Sequence, residues 1–187
     1  MAKAKFKQEN PQDELHMLLK RGTQLLQRGQ AQEATAVLEK AQQLDDTNPD
    51  VALNLSGAYI LTKKFKPAVA LLEPLSEQEP DNAMVWTNLG AAYLGNPILA
   101  RDEEHKKAIA AFEKAFKINP AAPNVAYNLG LIYRDRQEHE RAIHWFEKAI
   151  QANPTDRDAR NIKARLEAKL EEEEERGGRG ARPQGSA

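Results

Sequence analysis

The chain has 187 residues, of which 41% are hydrophobic, 29% charged and only 6% aromatic. Its 27 basic and 28 acidic side chains leave a net charge of -1, which argues against a general nucleic-acid binder. There is no cysteine, so disulfides, thiol chemistry and thiolate metal sites are excluded.

The first residues, 1–10, are charged and polar, lack the apolar stretch of a secretory signal and are expected to form a flexible tail. Asn10-Pro11 reads as the N-cap and first-turn proline of a helix. From there the chain repeats itself. Gly22, Leu25, Ala34, Leu38 and Ala41 mark a first unit of two helices. Leu55, Ser56, Tyr59, Ala68, Leu72 and Leu75 mark a second, closed by Pro80. Trp86, Leu89, Gly90, Tyr93, Ala108, Phe112, Ala115 and Pro120 mark a third. Leu129, Gly130, Tyr133, Ala142, Phe146, Ala149 and Pro154 mark a fourth. The Ala34, Ala68, Ala108 and Ala142 column is spaced by 34, 40 and 34 residues, so six extra residues enter the third unit between Tyr93 and Ala108. Within that insertion Gly95 ends one helix. Asn96-Pro97 starts the next, so the extra residues are expected to lengthen the front of the unit's second helix. Apolar residues recur at i, i+3, i+4 and i+7 in each half-unit, the period of one helical face, and no alternating strand pattern occurs. The small residues at Gly22, Ser56, Gly90 and Gly130 predict close helix contacts, with Gly90 against Ala108. After Pro154, Thr155 is placed to cap a last helix through about Glu175, with Ile162, Leu166 and Leu170 on one face. Residues 176–187, rich in Gly and Arg, are expected to be disordered.

These columns resemble the tetratricopeptide repeat (TPR), whose pattern W-x2-L-G-x2-Y … A-x3-F … A … P is matched most fully by the third unit. The resemblance implies an all-α, right-handed superhelical TPR solenoid of four helix pairs plus a C-terminal capping helix. The repeat domain would cover 11–154, with repeats at about 15–48, 49–82, 83–122 and 123–156 and the capping helix at 155–175. No glycine-rich nucleotide loop, nucleophile elbow or metal-binding motif is present. His139-Glu140 and His144 superficially match HExxH but are separated by one residue too many. The chain is therefore expected to be non-enzymatic, without cofactor or metal.

The resemblance further implies that the first helix of each pair lines a concave groove for a peptide or partner helix. At groove register stand Leu53, Asn54, Ile60, Met84, Asn88, Leu94, Tyr127, Asn128 and Leu131, with His16, Leu19, Thr23 and Leu61 beside them. The Asn54, Asn88 and Asn128 column could bond an extended peptide backbone, since an amide both donates and accepts. The lysines and arginines with which chaperone-binding relatives clamp a C-terminal carboxylate are absent from the matching positions. The groove is otherwise apolar, which favours a protein partner of unknown identity over an acidic C-terminus. The expectation is a cytoplasmic interaction scaffold or adaptor with no membrane span, since no apolar run approaches the ~20 residues required. Two alternatives stand beside it. One is an RNA-associated protein using Arg176, Arg179 and Arg182, and the other is a homo-oligomeric assembly module.

Overall fold

The computed structural model describes residues 10–95 and 102–180, with side chains as far as Arg176. It contains α1 (Pro11–Gln27), α2 (Ala31–Leu44), α3 (Pro49–Leu61), α4 (Phe65–Gln78), α5 (Ala83–Leu94), α6 (Asp102–Ile118), α7 (Val125–Asp135), α8 (His139–Ala152) and α9 (Arg157–Gly180). No strand occurs among the described residues. The chain forms two compact units, one ending at Ala111 and the other beginning at Phe112. In the first unit α1 packs on α2, α2 on α3, α3 on α4 and α4 on α5, and α1 and α5 each also touch α3. In the second, α7 packs on α8 and α8 on α9.

Local chemistry sets the helix limits. Asn10 Oδ1 accepts the Gln12 N–H at 3.2 Å, Asn48 Oδ1 that of Val51 at 3.1 Å and Asn82 Oδ1 that of Met84 at 3.0 Å. Each bond satisfies an amide that the first turn of a helix leaves open. The turns between paired helices share one solution. Gly29, Lys63 and Gln137 all sit at positive φ, between 60° and 74°. The amide after each reaches back to the carbonyl of Leu25, Tyr59 or Tyr133 at 2.7–2.9 Å. This is a Schellman closure, and two of its three left-handed positions are filled by residues with a Cβ. Pro74 stands exposed inside α4, which runs on through it.

The repeat columns become the core. Ala34, Leu38, Leu55 and Ala58 are fully buried in one cluster, and Ala68, Leu72, Val85 and Leu89 belong to the next. In the second unit Val125, Leu129, Ile132, Ala142, Phe146 and Ala159 are at most 1% exposed. The small-residue column makes room for side chains rather than for a partner backbone. A Cβ at Gly22 would lie 2.5 Å from Leu38 Cδ2, and one at Gly130 would lie 2.9 Å from the Phe146 ring. Gly90 and Ala108 are both buried.

A polar arrangement recurs three times between a first helix and the second helix before it. The hydroxyls of Tyr59, Tyr93 and Tyr133 donate to Glu39, Glu73 and Glu113 at 3.1, 2.7 and 3.5 Å. A cation lies over each ring: Lys64 at 5.3 Å, Lys107 at 5.4 Å and Arg141 at 5.6 Å from the centroid. Burial, reinforced by the carboxylate it bonds, pushes the hydroxyls of Tyr59 and Tyr93 up to about 12.

Two details differ from the sequence reading. The last helix is capped by Asp156, whose Oδ1 accepts the Ala159 N–H at 2.9 Å. Thr155 instead donates its amide and hydroxyl to Asn153 Oδ1. The same helix runs to Gly180, five residues beyond Glu175. Glutamates are good helix formers, and i,i+4 pairs Lys169–Glu173 and Glu172–Arg176 support that stretch. In α6, Ala108 is the seventh residue, whereas Ala34, Ala68 and Ala142 are each the fourth of their helices. Three of the extra residues therefore lengthen α6, and the Asn96-Pro97 signal lies outside the described residues.

Candidate interaction surface

The first helices α1, α3 and α5 are neighbours in the first unit, and one face of them is not covered by the second helices. Alternation makes α3 and α5 parallel. Leu61, the last residue of α3, and Met84, the second of α5, therefore mark opposite ends of this face, roughly 16 Å apart along the helix direction. Leu61 is 61% exposed and Met84 60%, a large apolar area to leave in water. Between them Leu53 and Ile60 are half-buried, because both pack on the core cluster of α4 and α5. They form the floor of the face, and their substitution would also disturb the core.

Asn54 and Asn88 lie on the same face, half-buried. Asn54 is already engaged: its Nδ2 donates to the Asp50 carbonyl at 2.8 Å and its Oδ1 accepts from the Thr23 hydroxyl at 3.2 Å. It therefore ties α1 to α3. Asn88 Nδ2 lies 3.9 Å from where a Gly57 Cβ would stand, so the next asparagine rests over the next small position. Leu94 lines a cleft of about 470 Å³ with Phe65, Val69, Tyr93 and Lys107, on the α4 side of α5.

In the second unit Tyr127, Asn128 and Leu131 share α7 and are half-buried. The Tyr127 ring meets Phe146 edge to face at 5.7 Å. It also borders a cleft of about 210 Å³ with Ala122, Pro123, Ala149 and Asp156. Burial raises the Tyr127 hydroxyl above its usual range, helped by Asp158 and Asp156 and opposed by Arg134. The candidate residues are thus gathered as Leu53, Asn54, Ile60, Met84 and Asn88 on two adjacent helices, and separately as Tyr127, Asn128 and Leu131 on one.

The histidines find structural roles. His139 Nε2 accepts from Lys169 Nζ at 2.9 Å, and the His144 ring stands edge-on to Trp145. Among the described residues no cluster of three metal-ligating side chains occurs, and no helix is long and apolar enough to cross a membrane. Sequence reasoning missed the glutamates that serve the tyrosine column, although each precedes its tyrosine by the same 20 residues.

Comparison with known proteins agrees with this architecture. Family models of the tetratricopeptide repeat match residues 25–92 and 98–157. The peroxisomal targeting signal receptors of Kluyveromyces lactis and Eremothecium gossypii are each 27% identical to the chain. The matches run over 97 and 94 residues, which are 52% and 50% of this chain. The chain covers 16% of the length of each. Among solved structures, a thermophilic TPR protein of Thermus thermophilus superposes with a TM-score of 0.70 at 20% identity, over 83% of this chain and 82% of that one. Pseudomonas aeruginosa pilF gives 0.71 at 22%, over 87% and 71%. MamA from Desulfovibrio magneticus RS-1 gives 0.65 at 24%, over 81% and 80%. These likenesses carry the fold, a scaffold for protein–protein interaction. With its 34-residue columns folded as successive helix hairpins and both family models on it, the chain belongs to the tetratricopeptide repeat family.

Proposed function

We propose that the chain is a non-enzymatic scaffold that holds an apolar peptide or helix of a partner protein against the open face of α3 and α5. The observation that carries this reading is the pair Leu61 and Met84, each about three-fifths exposed, at the two ends of a face floored by Leu53 and Ile60. An amphipathic segment presenting apolar anchors about three turns apart, roughly 16 Å, would cover both. Similarity to proteins named as receptors of a targeting signal supports recognition of a protein segment. Burying one such side chain is worth ~1.5–3 kcal/mol, so losing one anchor weakens binding about tenfold or more.

The test is selection of binding peptides from a displayed random library, followed by titration against variants. Met84→Glu and Leu61→Glu should each weaken the selected peptides about tenfold or more. Ala70→Glu, on the exposed side of α4, should leave them unchanged. Because the contact is apolar, raising salt should alter affinity little. Peptides that bind both groove variants at full strength would place the site elsewhere.

A further inference from the structure

We infer that α9 is a self-recognition element: two copies of the chain pair through the outer faces of their α9 helices, aligned antiparallel. One face of α9, carrying Ala159, Ile162, Leu166 and Leu170, is buried or half-buried, and α9 packs on α8. The opposite face is exposed. Read along the axis, it presents Arg157 and Arg160, then Ala164 and Ala168, then Glu172 and Glu175. These residues follow one another at intervals of three or four, so they lie on a common stripe.

The stripe is basic at one end, small in the middle and acidic at the other. Turned end for end about the level of Leu166, it becomes its own complement. Arg157 then stands level with Glu175, Arg160 with Glu172, and Ala164 with Ala168. A two-fold axis makes every such pairing occur twice, as an isologous interface requires. The two alanines let the helix axes approach closely at the crossing, so the long arginine and glutamate side chains can span the rest.

The same stripe is poorly suited to a solitary helix. Arg157 and Arg160 occupy the first turn, where the helix dipole disfavours cations. Glu172 has Arg176 as an ion-pair partner, but at 3.9 Å with both side chains at least 70% exposed. Such a pair exchanges readily for a partner on another chain. The length of the stripe also fits. α9 continues ten residues beyond Leu170, and Lys169 Nζ is already level with His139 at the start of α8. The acidic end therefore projects past α8 and is open to a second copy. A single helix face of this size buries less than a permanent dimer needs, so the association is weak, reversible and sensitive to salt.

The test is sedimentation velocity on the whole chain at about 20 mM and about 500 mM NaCl, between which the Debye length falls about fivefold. Dimer should form at low salt and dissociate at high salt. The double variants Arg157→Glu/Arg160→Glu and Glu172→Arg/Glu175→Arg should each be monomeric at both salts. Mixed in equal amounts, they should recover the dimer, because each supplies the charges the other lost. All four positions are exposed, and circular dichroism checks that both variants keep their helix content. A chain that stays monomeric at low salt overturns the proposal. So does a dimer that survives either double variant, and so does a mixture that fails to associate.

Discussion

Gly22 and Gly57 are both glycines inside first helices, and the structure predicts opposite outcomes for the same substitution. Glycine within a helix costs ~1 kcal/mol relative to alanine, so Gly→Ala stabilises wherever space allows. At Gly57 the added Cβ would meet only Asn88 Nδ2, at 3.9 Å, an ordinary contact. Gly57→Ala should therefore gain about 0.5–1 kcal/mol. At Gly22 the same atom would overlap Leu38 Cγ and stand 2.5 Å from Cδ2, and Leu38 is fully buried in the core it shares with Leu55. Overpacking of this kind costs about 1–3 kcal/mol. A fully buried, branched neighbour places the cost in the upper part of that range, so Gly22→Ala should lose about 1–2 kcal/mol net. Urea unfolding followed by circular dichroism measures both. A cycle with Leu38→Ala isolates the cause: in that background the clash has no partner, and Gly22→Ala should become neutral or stabilising. If Gly22→Ala stabilises the native background as Gly57→Ala does, the close approach between α1 and Leu38 is not as described.

Three further outcomes follow from the backbone and the tyrosines. Lys63 holds φ 60°, a conformation costing a side chain ~1–2 kcal/mol, and Lys63→Gly should recover up to about 1 kcal/mol in the same unfolding assay. Pro74→Ala should raise stability by about 1–3 kcal/mol, since it restores an amide donor in α4 without altering buried surface. The hydroxyls of Tyr59 and Tyr93 titrate near 12 in the folded chain against about 10 when unfolded, so the folded state favours their neutral forms. That stability is complete below about pH 10 and is lost as pH rises towards 12, and Tyr93→Phe should flatten part of this alkaline loss.

The hairpins were legible because their signals are periodic. Apolar residues at helical spacing, Gly and Ala columns and closing prolines each recur every 34 residues, and every one of them has a place in the core or at a helix end. The candidate surface was less legible. Register placed Leu53, Ile60 and Asn54 on the open face, but it could not say that the two aliphatic chains lean into the core or that Asn54 is bonded to Thr23. Those outcomes depend on the angle between adjacent helices, which a one-dimensional pattern does not carry. The cap of α9 falls one residue beyond the expected Thr155 for a local reason. Asn153 captures the Thr155 hydroxyl in a turn and leaves Asp156 to serve the helix. The tyrosine–glutamate contacts were readable in principle, because each pair has the same separation, but a charged residue on an amphipathic helix attracts no notice until its partner is seen.

Lys163 stands 34 residues after Leu129, at the position that Leu55, Leu89 and Leu129 fill with buried leucine. Its stem is largely covered, and its ammonium reaches Glu147 at 3.4 Å and Glu167 at 2.5 Å. Glu167 in turn falls where the column would place a tyrosine. A second helix laid on α9 in the manner of α8 on α7 would have to strip water from that cation and its two carboxylates, a desolvation that ion pairing offsets poorly. One polar substitution in an otherwise aliphatic column thus works as punctuation. Anyone grafting further hairpins onto this scaffold would first have to rewrite it, with leucine at 163 and tyrosine at 167, before the polymer of repeats could grow.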